Sequence, residues 1–231
     1  MIRSFLRKVK YKIRDIYCEE WNFFKSKLWF GFKLSFVIFL VSIVSFYLIF
    51  SCHPFFAAKI EEMADKLMMK FYSQWEAYGI KMSMVFFAHN TIAFLLKIVT
   101  GLIPFLFMPI FLVIFNGVLL AFFFLTAKLS GLNVLAAYFI TIFPHFIFEG
   151  FGSFYAVSLG IFLCTESSKK LIPRWKNNSV SFKTIGKQIY RSCISIIIPL
   201  TAIAAIVEGL VTPLLVRAFA KYVFPFYISW A

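Results

Sequence analysis

Two carboxylates and an imidazole stand where hydrocarbon would surround them. Of ten acidic residues, only Glu149 and Glu208 fall inside long apolar runs, and His145 precedes Glu149 by four positions. That spacing puts both side chains on one face of a continuous helix. Asn90, Asn116 and Thr212 add uncharged polar groups within similar apolar surroundings, and Lys97 is the one basic residue inside a run. A charged group in lipid costs several kcal/mol unless it is paired or hydrated, so an intramembrane acid is a functional candidate by default.

Three kinds of chemistry suit such a set. Interhelical hydrogen bonding would hold a bundle in one arrangement. A proton, ion or substrate site would serve a transport protein. Histidine and carboxylates also bind zinc, although the HExxH pattern is absent. The first reading is preferred, so no catalytic residue, metal or cofactor is expected. Neither a GxSxG nucleophile elbow nor a GxxxxGK[ST] nucleotide loop occurs, and an ATP-driven role would need a partner ATPase. Cys18, Cys52, Cys164 and Cys193 are too scattered for a zinc knuckle or a disulfide framework and read as packing residues, as do His53 and His89.

Composition sets what must position these groups. The 231 residues are 61% hydrophobic and 15% charged, with a mean hydropathy of +0.86, whereas soluble domains are about half apolar and about a quarter charged. The fold class expected is all-α, a polytopic transmembrane bundle. Apolar runs cover 34–52, 82–100, 102–127, 134–164 and 192–216, each long enough to cross a core of about 30 Å. Proline interrupts several of them, at Pro104, Pro109, Pro144, Pro199 and Pro213.

Charge placement orients the spans. Residues 1–33 carry nine basic against three acidic groups, 165–191 seven against one, and 57–81 four against four. By the positive-inside rule both basic blocks are cytoplasmic and the balanced segment lies outside. Five crossings satisfy this, with the N-terminus cytoplasmic, the C-terminus extracytoplasmic and the first span retained as an anchor. The run 134–164 is long for one span, so a re-entrant or bent half-helix over 134–143 is expected, then a break at Pro144, then a span over 146–164. Residues 1–33 read as a basic amphipathic segment at the inner surface, and 57–78 as an amphipathic outer helix. The +14 net charge is thus a topology signal, and no nucleic-acid partner is expected. At 1.5 Å per residue, Glu149, Asn90 and Glu208 lie roughly 6, 9 and 12 Å below the outer boundary. Asn116 is deeper, still in the outer half. Gly152, Ala156 and Gly160, spaced by four, and Ala205 with Gly209 favour close helix packing at these depths.

These residues also carry a resemblance. FFAHNTIAFLLKIVTG from Phe86, FNGVLLAFFF from Phe115, FPHFIFEGFGSFYAVSLG from Phe143 and AAIVEGLVTP from Ala204 together resemble the stage II sporulation protein M family over about residues 82–216. The most specific parts are Pro144-His145 with Glu149, and Glu208 with Thr212-Pro213; Phe146 stands where the family typically has glycine. The resemblance implies a non-catalytic component of the bacterial cytoplasmic membrane. The namesake acts with two membrane partners, one a peptidoglycan hydrolase, in wall remodelling during engulfment, and relatives are encoded with circular bacteriocins. A scaffold for partner membrane proteins is therefore expected first, and a transport or secretion component using His145, Glu149 and Glu208 second. An intramembrane hydrolase ranks third. A topology reporter fused near Lys176 is expected on the cytoplasmic side; an extracytoplasmic signal would overturn the five-span orientation.

Overall fold

The computed structural model describes residues 2–53, 79–175 and 179–223. The amphipathic segment expected over 57–78 lies outside the described residues. Those described form helices and turns without a strand, as a bilayer demands: with no water in its core, the backbone of an isolated span is satisfied only within a helix.

Helix α1 (Ile2–Phe23) continues through a π-helical turn, Phe24–Leu28, into α2 (Trp29–Cys52). Next come α3 (Ile80–Val99), a 3-10 turn (Thr100–Leu102) and α4 (Met108–Leu129). The short α5 (Val134–Ala137) leads through a π turn, Tyr138–Ile142, into the long α6 (Phe143–Leu171). Helix α7 (Phe182–Ser192), a π turn (Cys193–Ile197), α8 (Ile198–Ile206), a further π turn (Val207–Val211) and α9 (Thr212–Val223) complete the described chain. Five continuous helical stretches are long and apolar enough to cross a membrane: Arg14–Cys52, Ile80–Leu102, Met108–Leu129, Val134–Leu171 and Phe182–Phe219.

Three boundaries differ from the expectation, each for a local reason. The third span starts at Met108 rather than at residue 102, because Pro104 holds Ile103 extended (ψ 108°), and Phe105 and Phe107 take left-handed backbone (φ 63° and 45°). The turn is apolar yet pinned by polar bonds. Phe105 N–H donates to Ser168 Oγ (2.9 Å) and Cys164 Sγ–H to Ile103 O (3.3 Å). The second difference is at Pro144, where the expected break is a widened π turn instead. The third concerns the N-terminal segment. It runs through the π turn into α2 without a break, and Glu20 near the end of α1 and Phe24 and Leu28 in the turn are buried against protein.

Three of the four π turns share a cause. Pro144, Pro199 and Pro213 each occupy the second position of an α segment that directly follows a π turn. Proline offers no N–H to the carbonyl four residues back and its ring collides with it. Those carbonyls belong to Ile140, Ser195 and Gly209, all inside the π turns. Widening by one residue relieves the collision and closes the ring through the next donor back, with Phe143 N–H bonding Tyr138 O, Ile198 N–H bonding Cys193 O and Thr212 N–H bonding Val207 O.

Helix α6 is the hub, buried continuously from Gly152 to Gly160. Phenylalanines fill one side of it: Phe154 meets Phe32, Phe36 and Phe39 with ring centroids 5.4–5.9 Å apart, and Phe146 stacks on Phe39 at 5.5 Å. The other side is made of small residues. A Cβ on Gly152 would stand 2.8 Å from the Phe94 ring, and one on Gly160 would overlap the Lys97 carbonyl and sit 2.7 Å from the Pro109 ring. The spacing of Gly152, Ala156 and Gly160 therefore lets α3 approach at backbone distance and the Pro109 ring of α4 pack directly on Gly160. Outward faces carry apolar side chains such as Val41, Val44 and Leu48 on α2 and Phe111, Phe115 and Leu119 on α4, suited to lipid. Gly160→Leu is expected to cost at least about 1–3 kcal/mol by overpacking, read as thermal unfolding in detergent. Gly186→Ala on α7, where a Cβ meets nothing within 4 Å, should be neutral or stabilising by up to about 1 kcal/mol.

Candidate functional site

His145 and Glu149 stand one turn apart at the start of α6, immediately after Pro144, and Glu208 lies in the π turn between α8 and α9. The folded chain brings the three together: one nitrogen of the imidazole and one oxygen from each carboxylate lie within 4.8 Å of one another. The group is half-buried rather than sealed. His145 Nε2 is 4.0 Å from Glu149 Oε2, too far for a hydrogen bond, and His145 Nδ1 is buried without a partner.

Helix α3 lays a polar column against this seam. Ser83, Asn90 and Lys97 recur every seven residues and are all buried. A Cβ on Gly209 would overlap Ser83 Oγ and come 2.9 Å from its backbone nitrogen, so the residue after Glu208 is where α3 meets the π turn. Lys97 Nζ donates to Ser153 Oγ (2.7 Å) and lies 4.9 Å from the centre of the Phe94 ring. Helices α3 and α6 run parallel, with Phe94 against Gly152 and Gly101 against Gly160. One turn back on both, Asn90 stands at the height of Phe148 and Glu149.

The six expected residues fare differently. His145, Glu149 and Glu208 converge. Asn116 joins Glu149, Ser153, Phe39, Phe146 and Phe154 around a space of about 20 Å³, room for about one water. Asn90 and Thr212 are buried, with Asn90 Nδ2 and Thr212 Oγ1 lacking hydrogen-bond partners. Lys97 and Ser153 were not among those expected, although the heptad spacing of Ser83, Asn90 and Lys97 was visible.

A second polar centre had no linear signal at all. Glu20 is 2% exposed and accepts hydrogen bonds from Tyr155 Oη (3.0 Å), Ser192 Oγ (2.8 Å) and Gln188 Nε2 (3.0 Å) and from Arg191 Nε. Arg191 also binds Glu19. This centre ties α1, α6 and α7 together. Removing one member of a buried ion pair leaves the other unpaired, at about 3–5 kcal/mol. Arg191→Met is therefore expected to lower thermal stability in detergent by about 3 kcal/mol, whereas Glu19→Ala, at a largely exposed carboxylate, should cost under about 1 kcal/mol.

A family model described as stage II sporulation protein M matches residues 35–213, a stretch that holds all six residues discussed above and most of the chain. No curated protein and no solved structure matches. With the family motifs falling on the helices that build the polar seam, the chain belongs to the stage II sporulation protein M family of integral membrane proteins.

Proposed function

We propose that this sporulation-related membrane protein is a non-catalytic scaffold that docks partner membrane proteins in a membrane or cell-wall remodelling complex. The observation that carries the reading is how the polar side chains inside the bundle are spent. Lys97 and Ser153 join α3 to α6, Glu20 joins α1 to α6 and α7, and Ser168 pins the 103–107 turn. The space beside Glu149 is about 20 Å³, enough for about one water and far below the several hundred Å³ of an ordinary small-molecule site. Polar groups used this way fix one arrangement of helices, and a fixed arrangement presents constant surfaces to partners.

Partners that suit the family are other membrane proteins, among them a peptidoglycan hydrolase or an ATPase. Both basic blocks lie at one end of the bundle, since Glu20 of the first block bonds Arg191 and Gln188 of the second. The positive-inside rule assigns that end to the cytoplasm of a bacterial plasma membrane, which leaves His145, Glu149 and Glu208 in the outer half. The convergence of these three favours a second reading, a transport or secretion component whose polar site handles an ion, proton or substrate.

The two readings separate on the Glu149→Gln, Glu208→Gln double variant, because the amide keeps the shape of the carboxyl. Membranes of the native cell, crosslinked and purified through the full chain, are expected to yield the same partner membrane proteins with variant and wild type. Recovery of the folded wild-type chain alone would defeat the scaffold reading. Loss of a transported solute's flux in vesicles, with partner recovery intact, would favour the second.

A further inference from the structure

We propose that His145, Glu149 and Glu208 bind one divalent transition-metal cation of the zinc type, which clasps the start of α6 to the π turn before α9. The donor set is one imidazole and two carboxylates. Zinc takes such ligands at about 2.0–2.2 Å and commonly uses three protein ligands with water in the fourth position. Ligands sharing a tetrahedral ion at that radius stand about 3.3 Å apart. The three groups already lie within 4.8 Å of one another, so a contraction of at most about 1.5 Å, within reach of side-chain rotation, completes the set. Each group is half-buried, which leaves an approach for the ion and for its water.

The case rests equally on how this chain treats its other buried acids. Glu20 accepts four hydrogen bonds, one of them from Arg191. Glu166 accepts from Lys169 Nζ (2.7 Å) and from Val180 N–H (2.8 Å). Among the described residues no donor bonds Glu149 or Glu208, the imidazole stands 4.0 Å from the nearer carboxylate, and His145 Nδ1 is buried without a partner. Two like charges converging with no donor between them need positive charge at their centre. Lys97 does not supply it by direct pairing: its Nζ donates to Ser153 and forms no ion pair with either carboxylate among the described residues.

The chemistry of the donors narrows the ion. An imidazole beside carboxylates suits zinc and its first-row neighbours, whereas Mg²⁺ and Ca²⁺ prefer all-oxygen shells. The backbone around Glu208 fits the same end: the π turn sets this residue in register with a helix more than fifty positions earlier in sequence, and π turns recur at functional sites. The alternative occupant is a proton shared by the carboxylates, with which a metal would have to compete.

The test uses the full chain purified in detergent and stripped with a chelator. Equilibrium dialysis against Zn²⁺ with elemental analysis is expected to give one zinc per chain, undisturbed by millimolar Mg²⁺ or Ca²⁺, with a raised unfolding temperature. Co²⁺ should give the visible bands of a four-coordinate site. Glu208→Gln and His145→Gln should weaken zinc by at least about 100-fold, more than loss of a mere supporting residue, and abolish the cobalt bands, while unfolding like the wild type in chelator. Wild-type chain that takes up no stoichiometric zinc at micromolar concentration ends the proposal, whatever the variants do. Equal binding by wild type and both variants ends it too. Zinc uptake and partner recovery are read separately, so this proposal and the scaffold reading can fail independently.

Discussion

Backbone contact between α3 and α6 is the constraint on which the rest of the bundle depends. Gly160 lies so close to the Lys97 carbonyl, and Gly101 to the Gly160 backbone, that neither glycine has space for a methyl group. In lipid no hydrophobic force draws helices together, and close van der Waals approach has to supply the attraction. Once these helices run parallel at that distance, much else is set. Lys97 reaches Ser153, Phe94 fills the face left bare by Gly152, and Asn90 comes level with Glu149. The same helix receives Gly209 on Ser83, which brings the last span in from the opposite direction and carries Glu208 to His145. The polar group is thus assembled by small residues rather than by bonds between its two carboxylates, which repel when both are ionised.

Proline contributes the second half of that geometry. A helix passing a proline in hydrocarbon must deal with a carbonyl that has lost its donor and with a ring in its way. Here three prolines are met by a π turn directly upstream. Such a turn inserts one residue and rotates everything after it relative to everything before. Glu208 lies inside one and His145 and Glu149 just beyond another, so the directions of all three side chains follow from where Pro144 and Pro213 stand. Moving either proline by one position would change more than local bonding, since the carboxylates would leave their shared face.

What could be read beforehand divides along physical lines. The number and composition of the spans were legible because transfer into hydrocarbon is a property of each segment alone. Convergence of His145, Glu149 and Glu208 was half legible: depth along a span follows from counting residues, but the rotation of one span against another does not. Residues 102–107 were misassigned to a span because hydropathy does not separate an apolar helix from an apolar turn, and the turn owes its existence to Pro104 and to Ser168, distant in sequence. The Glu20 centre was illegible for a stronger reason. Its partners Tyr155, Gln188, Arg191 and Ser192 follow it by more than 130 residues, and a Glu in a basic segment looks like an ordinary solvated charge until the fold removes the water.

The two polar centres then differ in what their chemistry leaves over. At Glu20 every lone pair in view has a donor and a guanidinium supplies the opposite charge, so the centre is closed and can only hold helices together. At Glu149 and Glu208 the same residue type stands beside an imidazole with no donor bonded to it among the described residues, partly open to the surroundings. Burying a polar group without a partner costs free energy that close packing elsewhere must offset. A bundle that satisfies one buried acid so fully shows that its helices can be arranged to satisfy acids, which makes the unsatisfied pair informative. The bundle closes its other buried acids without that pair, and whatever occupies the space between the carboxylates is therefore an addition to the fold rather than a requirement of it.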